Sequence, residues 1–221
     1  MPTMLRVNEV FPTIQGEAFW TGTPATFVRL QGCPVGCAWC DTKHTWSIGM
    51  KGLEVPLGEL LLKVDPAPTW AKADPAELIE VIAPYSIRHT VITGGEPCIH
   101  PLQDLTAALQ DLGTVQIETS GTHPINVASD TWVTLSPKVE MGGGFSVLPD
   151  ALARANEIKM PVESFADIEN LLNLLDHAAP SALVWLQPVS QGEGATRLCI
   201  DECMRRGWRL SLQTHKYAGL R

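Results

Sequence analysis

The stretch His89-Thr90-Val91-Ile92-Thr93-Gly94-Gly95-Glu96-Pro97, with Pro101 to Leu112 and Val115-Gln116-Ile117-Glu118-Thr119 behind it, holds the fold in miniature. Its first five residues are mostly β-branched and read as a strand that stops at paired glycines. Leu102, Leu105, Leu109 and Leu112 then recur at helical spacing. The next strand ends at Ser120-Gly121. Strand, helix, strand in that order implies parallel strands in an α/β sheet.

The same rhythm runs outward in both directions. Upstream, Val7-Asn8-Glu9-Val10-Phe11 can pair as a short strand, and Pro24 to Gly32 reads as a second one. Asp74 is a good N-cap with Pro75 at the first helical position, and Leu78, Ile79 and Ile82 supply the apolar face. Gly49 to Ala73 is less regular and reads as a short element and a surface loop. Downstream come a strand at Trp132-Val133-Thr134-Leu135, a helical piece at Asp150 to Ala155 and a strand at Asn156-Glu157-Ile158-Lys159. Ile168, Leu171, Leu172 and Leu175 mark a helix, and Ala182 to Leu186 a strand. A helix over Thr196 to Arg206 and a strand over Trp208 to Leu212 end the pattern. Setting aside the short first strand, six or seven strands are countable, fewer than a closed eight-fold barrel needs. The expectation is an α/β fold, an incomplete (β/α) barrel of mainly parallel strands, in one domain over 1–221.

Composition narrows the function. At 221 residues, with 45% hydrophobic and 18% charged residues, the chain can bury a full core as an ordinary globular protein. A net charge of −8 and the lack of any basic run argue against nucleic acid as a direct partner. No apolar run approaches a membrane span and no secretory signal opens the chain, so the expected location is cytoplasmic, with no membrane partner.

The six cysteines are unevenly placed. Cys33, Cys37 and Cys40 form a C-x3-C-x2-C loop that contains Pro34 and Gly36. A structural zinc site usually closes with four ligands, whereas a cubane iron–sulfur cluster held by three leaves one iron open to a second molecule. The plainer alternatives are a zinc knuckle completed by His44, or three buried thiols. Cys98 stands alone. Cys199 and Cys203 read as buried helix-face residues beside Ile200 and Met204, with Asp201, Glu202, Arg205 and Arg206 facing water.

Almost every strand ends in chemically capable residues: Thr93 before Gly94-Gly95-Glu96, Glu118-Thr119-Ser120, Ser136 with Lys138, Gln187 with Ser190, and Gln213 with His215 and Lys216. In parallel α/β folds these ends gather at one face, where ligands bind. Arg29, a cation in an apolar strand, must meet a carboxylate of the protein or of a ligand.

The cysteine loop, with an aromatic residue before its last Cys, resembles the signature of radical S-adenosylmethionine (SAM) enzymes, and Gly94-Gly95-Glu96 resembles their GGE motif. With Gln15-Gly16-Glu17, Phe27 to Cys33, Cys40 to Trp46, Glu118 to Thr122, Ser136-Pro137-Lys138 and Gln213 to Lys216, the chain resembles the 7-carboxy-7-deazaguanine synthases. The likeness covers nearly the whole chain and is nearest the enterobacterial-type form; the 49–73 loop matches loosely.

The resemblance implies conversion of 6-carboxy-5,6,7,8-tetrahydropterin to 7-carboxy-7-deazaguanine with loss of ammonia, a step towards queuosine. It implies a [4Fe–4S] cluster on Cys33, Cys37 and Cys40, SAM used catalytically as radical source, and Mg²⁺ on Thr42. Arg29 would then pair the pterin carboxylate. Ile14, Gln15, Gly16 and Glu17 would meet the pterin edge, with Thr93 and His215 completing its pocket. Trp39, Cys40, Asp41, Gly95, Ser136, Pro137, Lys138 and Gln187 would contact SAM. A reducing electron donor such as a flavodoxin and a homodimer are the implied partners. Lys159 and Cys98 read as structural. Two other readings stay open: an activase that places a glycyl radical on a partner protein, and a non-catalytic iron–sulfur or zinc module.

Overall fold

The computed structural model describes residues 3–47 and 53–220. Nine strands form one sheet in the order β3-β1-β2-β4-β5-β6-β7-β8-β9. The strands are β1 (Leu5–Ile14), β2 (Pro24–Leu30), β3 (Ala71–Ala73), β4 (His89–Gly94), β5 (Thr114–Thr119), β6 (Trp132–Leu135), β7 (Glu157–Val162), β8 (Leu183–Pro188) and β9 (Arg209–Leu210). From β2 and β4 through β9 every neighbouring pair is parallel, while β1 pairs antiparallel with both β2 and β3. The sheet is open, with β3 and β9 as edges. The expected partial barrel is the observed one.

The strand β3 lies in the stretch expected to be a loop, with a short helix α1 (Leu57–Leu60) before it. Three residues are too few to show an alternation, and pairing with Leu5 to Val7 is what makes them a strand. Part of that stretch, 49–52, lies outside the described residues.

Helices cover the outer face of the sheet. In α2 (Pro75–Ile82) the Asp74 carboxylate accepts from Glu77 N at 2.9 Å and Glu77 accepts from Asp74 N at 2.9 Å, a complete capping box. After it come α3 (Gln103–Gln110), α4 (Pro149–Arg154), α5 (Phe165–Leu175) and α6 (Glu193–Arg206). Side chains alternate across a strand, so Val28, Leu30, Ile92, Ile117, Leu135, Ile158 and Leu186 meet Leu78, Leu105, Leu109, Ile168 and Leu171 from the helices. Each such Leu or Ile contributes about 1.5–3 kcal/mol. That outer core stabilises the fold and leaves the other face free to be polar.

Cys199 and Cys203 on α6 are buried, as the spacing predicts. Glu202 differs from expectation: its side chain is only 8% exposed, because Arg205 at 2.5 Å and Arg206 at 2.7 Å fold over it.

The inner face carries Arg29, Gln116, Glu118, Thr134, Glu157 and Lys159 at the alternate positions. A buried network joins several polar groups there: His89 Nε2 to Gln116 Oε1 at 3.0 Å, Gln116 Nε2 to Thr134 Oγ1 at 2.8 Å, and Thr134 Oγ1 to Glu157 Oε1 at 2.6 Å. Burial holds the carboxyl of Glu157 above its ordinary pKa, against the donors around it.

The lumen is plugged by the loop between β1 and β2. Since β1 runs against the parallel strands, this loop enters from their amino ends. Phe19 stacks on Trp132 at 4.6 Å and Trp20 lies 4.4 Å from the His89 ring. Phe19 N donates to Glu157 Oε2 at 3.2 Å, and Ala18 N to Ser211 Oγ at 3.0 Å beside the far edge of the sheet. The plug thus spans the gap that the open sheet leaves.

Candidate active site

One cleft of about 320 Å³ opens at the carboxyl ends of the parallel strands, a size suited to small molecules. Every residue expected at the site lines it except Pro137, which is buried. Its contributors fall into three groups: the cysteine loop with the residues up to Trp46, the strand ends, and the plug with the C-terminal segment.

The strand β2 delivers the cysteine loop, as expected. Gly95 N donates to Leu30 O at 3.0 Å and Glu96 N to Gly32 O at 2.8 Å, fixing the end of β4 against the stem of that loop. A Cβ on Gly95 would lie 2.1 Å from Gly32 O, and one on Gly94 2.3 Å from Leu30 O. The two glycines are therefore required by this backbone contact. The Glu96 carboxylate, 1% exposed, accepts from Thr119 Oγ1 at 2.6 Å, Ser120 N at 2.8 Å, Cys98 N at 2.9 Å and, through a very short bond, Ser120 Oγ. Its oxygens are engaged within the protein.

All three thiols of the loop are free, and all three line the cleft. Burial pushes the Cys33 thiol up to about 11 and raises that of Cys37, with neighbouring thiols adding to the effect. Iron binding displaces such protons. Among the described residues no three or more His, Cys, Asp or Glu side chains stand close enough to share a single metal ion. Cys98, outside the loop, is pushed up to about 12 by burial, with Glu96 beside it, and remains an inert thiol.

Beside the loop, Thr42 Oγ1 lies 3.6 Å from Cys40 Sγ, and Thr45 Oγ1 donates to the Thr42 carbonyl at 2.8 Å. Asp41 pairs with Lys216 at 3.4 Å across the mouth. Lys138 Nζ donates to Ser136 O at 2.8 Å and Oγ at 2.7 Å, and lies 5.2 Å from the Trp39 ring centroid. Burial lowers the Lys138 pKa from its ordinary value.

Arg29 finds a protein carboxylate: its Nε donates to Glu9 Oε1 at 2.5 Å. Thr93 stands in register with it on β4. Gln15 is 2% exposed, and its side chain is engaged within the protein: Nε2 donates to Glu118 at 3.0 Å and Oε1 accepts from Glu17 N at 3.1 Å. The Gly16 carbonyl accepts from Thr214 N at 3.0 Å, and His215 packs so closely that a Cβ on Gly16 would meet its ring. Gln187 accepts from Ser211 Oγ at 2.9 Å.

No family model matches the chain. It is 53% identical over 219 residues to the 7-carboxy-7-deazaguanine synthase of Escherichia coli (strain K12), covering 97% of this chain and 98% of that protein. The synthase of Buchnera aphidicola subsp. Schizaphis graminum is 41% identical over 220 residues, again 97% of this chain and 98% of that one. The chain belongs to the 7-carboxy-7-deazaguanine synthase family. A solved structure agrees: the crystal structure of QueE from Escherichia coli matches with a TM-score of 0.91 at 51% identity, covering 95% of this chain and 94% of that chain. Membership in the synthase family sets aside both the activase and the non-catalytic module.

Within this synthase fold, sequence reasoning gave no role at the site to Glu9 or Lys159, and gave Glu118 only a place among the strand-end residues. Parallel strands buried on both faces are usually apolar throughout. Polar or charged residues at every second position, as in Gln116-Ile117-Glu118 and Glu157-Ile158-Lys159, were the available signal of a polar lumen.

Proposed function

We propose that this chain is a radical SAM enzyme that converts 6-carboxy-5,6,7,8-tetrahydropterin to 7-carboxy-7-deazaguanine with release of ammonia, in queuosine biosynthesis. The observation that carries the reading is one cleft lined by both the three-thiol loop and an arginine held by a carboxylate, in a chain matching the synthases end to end. Cys33, Cys37 and Cys40 would hold the [4Fe–4S] cluster, which with bound SAM supplies the hydrogen-abstracting radical.

The chain's own residues bind and orient. Arg29, anchored through Nε by Glu9, turns a guanidinium towards the substrate carboxylate. Thr42 offers one hydroxyl to Mg²⁺, an ion that keeps most of its waters and takes few protein ligands. Glu17 accepts from the amino and ring N–H groups of the pterin, while Ile14, Gly16, Thr93 and His215 shape the pocket and Gln15 fixes its floor. Trp39, Cys40, Asp41, Gly95, Ser136, Lys138 and Gln187 line the SAM side, with Pro137 stiffening the turn between two of them. We assign the chain one domain, a cytoplasmic location, a homodimeric state and a flavodoxin-like electron donor.

The test is an anaerobic assay of reconstituted protein with reductant, Mg²⁺, SAM and the carboxytetrahydropterin. Deazaguanine in excess over added SAM is the expected result. Protein that carries its cluster and cleaves SAM but leaves the pterin untouched would defeat the substrate assignment.

A further inference from the structure

Lys159 and Glu118 line the cleft but have no part in the proposed function as stated. Lys159 stands on the inner face of β7 with its side chain 3% exposed, between Glu17 and Glu118, whose side chains are 12% and 18% exposed. It donates to Oε2 of Glu17 and, at 3.3 Å, to Oε2 of Glu118. The other oxygen of each carboxylate takes an amide: Gln213 Nε2 reaches Glu17 Oε1 at 2.9 Å, and Gln15 Nε2 reaches Glu118 Oε1 at 3.0 Å. The arrangement is a clamp with the ammonium at its back and two more exposed carboxylates at its front.

We propose that Lys159 is a positioning residue that keeps Glu17 and Glu118 charged and side by side, so that together they accept two N–H donors from one edge of a flat heterocycle. The inference rests on the pterin reading, since the aminopyrimidinone edge of a pterin offers such donors. Two carboxylates in one dry pocket do not both stay ionised without a cation between them. Burial alone would raise the Glu17 carboxyl, but the Lys159 ammonium, with Gln213 and His215 adding to it, outweighs that and holds the pKa at about 2. Burial works to lower Lys159, and Glu118 and Glu17 overcome it and raise it instead. An ammonium held so firmly is no proton donor near neutrality, which separates a positioning role from an acid's. The other charged groups facing the clamp are Glu157 on β7, Lys138 after β6 and His215 after β9. Among the described residues only Lys159 bonds both carboxylates.

The test is a fluorescence titration of cluster-loaded protein with 6-carboxypterin between about pH 5.5 and 7.5. The wild-type profile, which carries the ligand's own ionisation, is the reference for both variants. Lys159→Met leaves two facing carboxylates that share a proton and lose an acceptor. Its Kd should rise about 10- to 100-fold at the acid end and recover towards neutrality. Lys159→Met combined with Glu118→Gln removes both charges, and the added pH dependence should vanish. A Lys159→Met profile parallel to the wild type overturns the proposal. Where Lys159→Met fails to fold, a double variant that keeps its cluster absorbance and binds within about tenfold of wild type supports it. A double variant that also fails to fold or to bind overturns it. Wild-type protein without pterin turnover sinks the functional reading, whereas turnover with an unaltered Lys159→Met profile sinks only the positioning role.

Discussion

Arg29 and Glu9 face each other in the antiparallel register of β1 and β2, which is how a guanidinium comes to lie on an inner sheet face. The need for a partner was legible from one cation inside Phe27-Val28-Arg29-Leu30; which carboxylate serves was not, because Glu9 lies 20 residues away. Glu9 occupies Nε, and a planar fork can serve a second carboxylate where an ammonium would be spent on the first. Arg29→Lys is therefore expected to fold normally but to raise KM for the carboxytetrahydropterin about tenfold, with kcat less affected. Steady-state kinetics with saturating SAM would show it; an unchanged KM would remove Arg29 from substrate recognition. Glu96 teaches the complementary lesson. Its motif was readable, but its four donors come from Cys98, Thr119 and Ser120, and they engage the carboxylate before any ligand arrives.

Among the elements, the long helices and central strands follow from periodicity and caps, as α2 and its capping box illustrate. The plug does not. Gln15-Gly16-Glu17 reads as a wet turn, because nothing local tells whether the connection from Ile14 to Pro24 folds over the surface or into a lumen. Packing of the half-buried Trp20 against His89 and burial of Ala18 beneath Ser211 decide it. Trp20→Ala should therefore destabilise the protein by about 3 kcal/mol and raise KM for the pterin while SAM affinity changes little. Thermal unfolding and separate titrations with SAM and pterin would test this. Equal weakening of both ligands would mean that the plug supports the whole cleft and not its floor alone.

For the molecule as a whole, the sheet divides labour between its faces, and the polar face creates a pH liability. His89 and His100 are 2% and 8% exposed, and burial lowers the pKa of both. Below about pH 6.5 the unfolded chain takes up protons that these histidines resist in the fold, so stability falls as the pH drops. Replacing His89 with Gln should lower stability at neutral pH yet flatten its decline towards about pH 5.5. Denaturant unfolding of cluster-loaded protein at both pH values measures this; an undiminished decline would clear His89 of the effect.

The sequence by itself determined the α/β rhythm, the three-thiol loop, the glycine turn and the likeness to the synthases, because each is written in residues close along the chain. Only the tertiary structure decided that Glu17, Glu118 and Lys159 form one clamp, that Glu9 anchors Arg29, and that a loop from the far end of the strands makes the floor. The ion pairs of the clamp and the anchor join residues 20 to 142 positions apart. Their partners are chosen by the register and curvature of the sheet, which no local spacing encodes.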